Sequence, residues 1–84
     1  MNLITQNYEG GGVRFRALIE NGRVNDVNGE AGMIFFFRNG RKWIEAHFQA
    51  GLLATPAGGH AIVEYNEAGD VVSAGKTARS LVAF

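Results

Sequence analysis

From Val13 to Gly22 the chain alternates. Phe15, Ala17 and Ile19 fall on one side of an extended backbone, and Arg14, Arg16, Leu18 and Glu20 on the other. Alternation of this length predicts a half-buried strand. Asn21-Gly22 ends it, a pair that tolerates positive φ and so favours a hairpin turn. The same pattern recurs. Met33–Arg38 runs into Asn39-Gly40. Arg41–Gln49 follows, with Lys42, Ile44, Ala46 and Phe48 on one side and Trp43, Glu45 and His47 on the other. His60–Asn66 and Val71–Gly75 read as two further strands, and Met1–Asn7 as an edge strand joined through Gly10, Gly11 and Gly12, which read as a hinge. Residues 23–32 and 52–59 are connections, the second marked by Pro56, Gly58 and Gly59. Trp43, Ile44, His47, Phe48 and Leu52 also fit a helical stripe, so a short helix near 42–52 competes with strand there.

A repeat decides between them. A 29-residue step carries Gly22 onto Gly51, Gly29 onto Gly58 and Gly40 onto Gly69 without a gap. It carries Phe15 onto Ile44, Ala17 onto Ala46, Ile19 onto Phe48, Ile34 onto Val63 and Phe36 onto Tyr65. The alternating first segment thus aligns with Trp43–Gly51, which favours strand. A lone hairpin cannot bury its own apolar face, so successive units should stack edge to edge. The expected fold is all-β, a twisted antiparallel meander of about 5–7 short strands in one domain. Residues 1–12 form an N-terminal arm, 13–76 the repeat-built meander and 77–84 an apolar C-terminal segment.

The segments "ENGR…GEAGMIFFFRNGRKW" and "AGLL…GGHAIVEYNEAGD", within residues 14–75, resemble MORN repeats, especially the divergent variants of bacterial and phage proteins. The period here is longer, and the regular Tyr-x-Gly-x-Trp core is reduced to Tyr8 and Trp43. The resemblance implies a β-meander used for protein or lipid contact. It also implies a place among bacterial antitoxin or immunity components.

Eighty-four residues suffice for one small domain with a limited core. Eight basic residues balance eight acidic ones, which argues against a nucleic-acid binder and favours self-association. No cysteine is present, so neither disulfides nor thiolate metal sites are available. No segment reads as a signal peptide, and no apolar run approaches the ~20 residues of a membrane span. The cytoplasm is the expected compartment, that of the host cell if the protein is phage-encoded.

Chemistry-bearing groups are sparse. His47 and His60 occupy different repeat positions and do not read as a metal pair, and Glu45 and Glu64 read as strand polar positions rather than an acid–base pair. No nucleophile elbow or phosphate loop is present. The expectation is no catalysis, no metal and no cofactor.

"RNGRKW", Arg38–Trp43, reads as a basic hairpin tip beside an aromatic residue, suited to an acidic protein surface. The repeat assigns Phe15, Ala17, Ile19, Ile34, Phe36, Ile44, Ala46, Phe48, Val63 and Tyr65 to a folding core. Met33, Phe35, Phe37, Trp43 and Leu18 then form an apolar patch on the other face, to be covered by the tail Leu81–Phe84, a second copy or a foreign protein. The expected partner-binding set is Phe35, Phe37, Arg38, Arg41, Lys42, Trp43, Glu45 and His47. The functional expectation is a non-enzymatic binding module that occludes a protein surface, by analogy of size a phage or mobile-element inhibitor of a host defence complex of the anti-CRISPR type. The alternatives are an antitoxin or immunity protein whose partner is a toxin, and a self-assembling structural subunit such as a homodimer.

Overall fold

The computed structural model describes residues 2–75. They form nine strands and, among the described residues, no helix. The strands are β1 (Asn2–Asn7), β2 (Val13–Glu20), β3 (Arg23–Val24), β4 (Met33–Phe36), β5 (Lys42–Ala46), β6 (Phe48–Gln49), β7 (Leu52–Leu53), β8 (Ile62–Tyr65) and β9 (Val71–Gly75). Seven make one antiparallel sheet in the order β1-β2-β4-β5-β8-β9, with β3 paired to β2; β6 and β7 form a separate ribbon. This is the expected all-β meander. The helical reading of 42–52 fails because the chain reverses at Ala50-Gly51, where φ is 51° and 86°. Phe48 then pairs with Leu53 and Gln49 with Leu52.

The 29-residue step holds in three dimensions. It maps β2 onto β5 and β6 together, β3 onto β7, β4 onto β8 and β5 onto β9. It also reaches upstream of the segments in which the sequence showed it. β1 takes the place of β4 and β8, and the register slips recur at Gln6/Asn7, Phe35/Phe36 and Glu64/Tyr65. Three equivalent turns close with Tyr8 N–H to Gly12 O at 2.9 Å, Phe37 N–H to Arg41 O at 2.8 Å and Asn66 N–H to Asp70 O at 2.8 Å. Residues 2–12 are therefore an edge strand and a hydrogen-bonded turn rather than an arm on a hinge. Gly10, Gly11 and Gly12 have φ of 90°, 109° and 81°, so glycine there supplies left-handed geometry.

Register corrects the expected faces. Phe15 pairs with Phe35, Phe35 with Ile44, and Ile44 with Glu64. Directly opposed residues share a face. A front face therefore collects Phe15, Ala17, Met33, Phe35, Ile44, Ala46, Ile62 and Glu64. The back face holds Arg16, Ile34, Glu45 and Val63, joined by Phe36 and Tyr65. Thus β4 and β8 sit one residue out of the expected phase relative to β2 and β5. The bulge between β4 and β5 also brings Trp43 to the same side as Ile44, where it packs beside Phe35. The two most deeply buried large side chains, Ile34 at 1 % and Ile44 at 0 % exposure, consequently lie on opposite faces. The front core is Ile44, Ala46, Ala61 and Ile62, with Met33, Phe35, Trp43 and Phe48 packed against it. The expected covering segment Leu81–Phe84 lies outside the described residues.

Candidate protein-binding face

The front face carries a row of aromatic rings. Phe15 and Phe35 are 5.0 Å apart between centroids, Phe35 and Trp43 6.3 Å at 78°, and Phe37 and Trp43 5.6 Å. These are tilted and edge-on contacts, the favourable geometries for ring pairs. All four rings are half-buried. Trp43 Nε1 donates to a carboxylate oxygen of Glu64 at 3.2 Å. Glu64 is itself buried on this face and stands at the repeat position of Phe35. The inner part of the row is thus shared with the folding core, while Phe37, at the start of the turn, has its ring contact with Trp43.

The turns form a ladder along one end of the sheet. Arg38 lies over the Tyr8 ring at 4.5 Å and reaches Glu9 O. Asn39 Nδ2 donates to Glu67 O at 3.2 Å, and Arg41 Nη1 to Ala68 O at 2.5 Å. The expected basic tip therefore sits between two turns bearing Glu9 and Glu67, and both guanidinium groups are tied to neighbouring carbonyls. Arg38 and Arg41 remain exposed.

The expected binding set is divided by the sheet. Phe35, Phe37 and Trp43 are together on the front, flanked by Arg38 and Arg41 in the turn. Lys42, Glu45 and His47 belong to the back. There Lys42 Nζ bonds Glu45 at 3.1 Å, and the Tyr65 hydroxyl donates to the other Glu45 oxygen. Burial pushes the Glu45 carboxyl up, but the hydrogen bonds from Tyr65 and Lys42, the Lys42 charge and His47 outweigh it and hold it below its ordinary 4.5. The Tyr65 phenol, desolvated and bonded to that carboxylate, is pushed up to about 12.

One polar cluster escaped sequence reasoning. Asp26 Oδ1 accepts from Gly32 N–H at 2.7 Å and Phe48 N–H at 2.9 Å, and Oδ2 meets His47 Nδ1 at 2.7 Å. An ionised carboxylate only accepts, so Nδ1 carries the proton of that bond. This clasp joins the loop of one repeat to the ribbon of the next. Its single sequence signal was a departure from the repeat, since the position 29 residues on is Thr55.

Among the described residues two open grooves indent the surface. One of about 350 Å³ is lined by Glu20, Asn21, Arg23, Asn25 and Ala50. The other, of about 390 Å³, lies on the back among Leu3, Thr5, Val13, Arg16, Phe36 and Gly40. Neither sets a nucleophile beside a base. Among the described residues no three His, Asp or Glu side chains converge as a metal site, and no helix is long and apolar enough to cross a membrane.

No protein-family model matches this chain, and neither the curated proteins nor the solved structures include a significant match to it.

Proposed function

We propose that this protein is a non-enzymatic protein-binding module that acts by covering a surface of its partner with the outer end of the front aromatic row. The observation that carries this reading is the half-exposed run Phe35–Trp43–Phe37 beside the exposed Arg38 and Arg41. Aromatic and arginine side chains dominate interface hot spots, because they bury much area at little rotamer cost and can pair with carboxylates as they do so. The contact set narrows to Phe37, Trp43, Arg38 and Arg41, with Phe35 supporting from beneath. Lys42, Glu45 and His47, on the other side of the sheet, leave the set. By analogy of small size alone, the partner on this reading is a host defence complex and the protein a phage-encoded inhibitor working in the host cytoplasm in the manner of anti-CRISPR proteins.

The test is a plaque assay in cells carrying defined CRISPR effectors, with and without the protein, followed by binding to the effector that is silenced. Phe37→Ser with Arg41→Glu should abolish protection of the phage and complex formation, while the thermal midpoint stays within a few degrees. An inhibitor that works unchanged in this variant would remove the front row from the mechanism. Silencing of no effector would remove the defence-complex reading.

A further inference from the structure

The outer edge of β1 is complementary to itself. Every residue of β1 is exposed, whereas β4 and β8, which hold its place in the later repeats, lie between two strands and are buried or half-buried. Ile62 is 8 % exposed and its equivalent Ile4 48 %. Among the described residues no strand pairs with the outer side of β1. Nor does β1 contain the proline or charged residue that usually protects an edge. We propose that a second copy of this chain occupies this edge, β1 pairing antiparallel with β1 about a twofold axis at Ile4.

The backbone sets the register. Leu18 N–H donates to Gly32 O, and Leu18 O accepts from Asn25 N–H, so the backbone groups of Leu18 point away from β1. Successive residues of a strand turn theirs to opposite sides. Ala17 therefore faces β1, where it pairs with Ile4. Ile4 is thus bonded inward, and Leu3 and Thr5 turn N–H and C=O to the open edge. In a twofold contact these outward residues must meet one another. An axis at Ile4 sets Leu3 of each copy opposite Thr5 of the other and forms four backbone hydrogen bonds.

The side chains select that axis and a like partner. Ile4 shares the front face with Ala17 and meets Ile4 of the other copy in the close, non-hydrogen-bonded position. On the back, Leu3 of each copy, 55 % exposed, falls against Thr5 of the other. Thr5 there borders the groove that Val13, Arg16 and Phe36 also line. One strand thus carries both the protruding side chain and the recess that receives it, which fits a second copy better than an unlike strand. An axis at Thr5 would satisfy the same backbone groups but set Ile4 against Gln6 and Leu3 against Asn7. With no charge on β1, the twofold opposes no like charges within the strand.

Such a contact is isologous and closes at a dimer. It runs only from Asn2 to Gln6 of each copy, so the dimer is weak and depends on concentration. None of these residues belongs to the contact set Phe37, Trp43, Arg38 and Arg41, so this proposal and the front-row reading fail independently.

The experiment is sedimentation of the full chain over a hundredfold concentration range. Mass should rise from monomer to dimer and no further. Thr5→Pro removes an outward N–H from each copy, two of the four bonds, and should weaken association by about tenfold or more. The chain has no cysteine, so Ile4→Cys carries a single thiol. The axis brings two such residues within about 4.5 Å between α-carbons, inside disulfide reach. Mild oxidation should lock Ile4→Cys as a covalent dimer faster than Leu3→Cys or Thr5→Cys, each of which lies two residues out of line with its own counterpart. This readout decides the matter if Thr5→Pro unfolds. A constant monomer mass would overturn the proposal, since the edge is then left for an unlike strand. Growth beyond the dimer would overturn it, as would cross-linking that is fastest at Leu3→Cys or Thr5→Cys.

Discussion

Replacing Asp26 with alanine should loosen the joint between the two repeats. Its carboxylate takes the Gly32 and Phe48 amides on one oxygen at 2.7 and 2.9 Å and the His47 ring on the other at 2.7 Å. Hydrogen bonds to a charged group contribute about 1.5–3 kcal/mol each, and an amide left buried without a partner costs about 1–3 kcal/mol. The Asp26 side chain keeps 28 % of its exposure, so water compensates part of the loss. A net cost of about 2–4 kcal/mol follows. A chain of this size holds roughly 4–13 kcal/mol in all. At about 4–8 °C per kcal/mol the thermal midpoint should fall by on the order of 10–30 °C. Asp26→Asn keeps one acceptor oxygen and should lose about half as much. Thr55→Ala, at the equivalent position of the next repeat, is the control and should lie within about 0.5 kcal/mol of the parent. Urea and thermal unfolding followed by circular dichroism measure all three. If Asp26→Ala stays within about 0.5 kcal/mol of the parent, or Thr55→Ala costs as much, the clasp is not what holds the repeats together.

Tyr65 titrates near 10 when unfolded and about 12 when folded. Its stabilisation is therefore full below pH 10 and is lost as pH rises through 12, and Tyr65→Phe should remove that part of the alkaline unfolding. Glu45 runs the other way, with stabilisation present above pH 4.5 and lost as pH falls through its lower folded value. Carbon-detected NMR of the Glu45 carboxyl should show a midpoint below 4.5 that rises in Tyr65→Phe. Gly32→Ala copies the residue of the next repeat, Ala61, yet should destabilise by about 1–3 kcal/mol in urea unfolding. The added carbon would meet Val24 Cγ1 at 2.9 Å and Phe48 Cβ at 3.2 Å. Ala50 sits at φ 51°, where its repeat equivalent is Asn21 at 53°. Ala50→Asn should raise stability by about 0.5–1 kcal/mol by relieving left-handed strain, read as a higher thermal midpoint.

Much was written locally. Alternation from Val13 to Glu20, the Asn-Gly turns and the recurrence of glycine every 29 residues fixed strands, reversals and repeat, because each depends on backbone preferences within a few residues. That is also why strand prevailed over helix at Trp43–Leu52: the aligned copy carried the clearer pattern. The face of each strand was not legible. Ile34 and Phe36 are separated from β2 by an irregular connection, and a slip of one residue across it turns every side chain to the opposite side. Register is settled by pairing between strands, and the bulge at Trp43 is a further change of phase with no local mark. The aromatic patch thus proved continuous with the core of β2 and β5 rather than opposed to it. Asp26 was hidden for the same reason: its partners, Gly32 and Phe48, are brought to it only when two repeats stack. Sequence alone determined the strands and their period, whose causes are local; tertiary pairing decided the faces, the clasp and the candidate site, whose causes lie between strands.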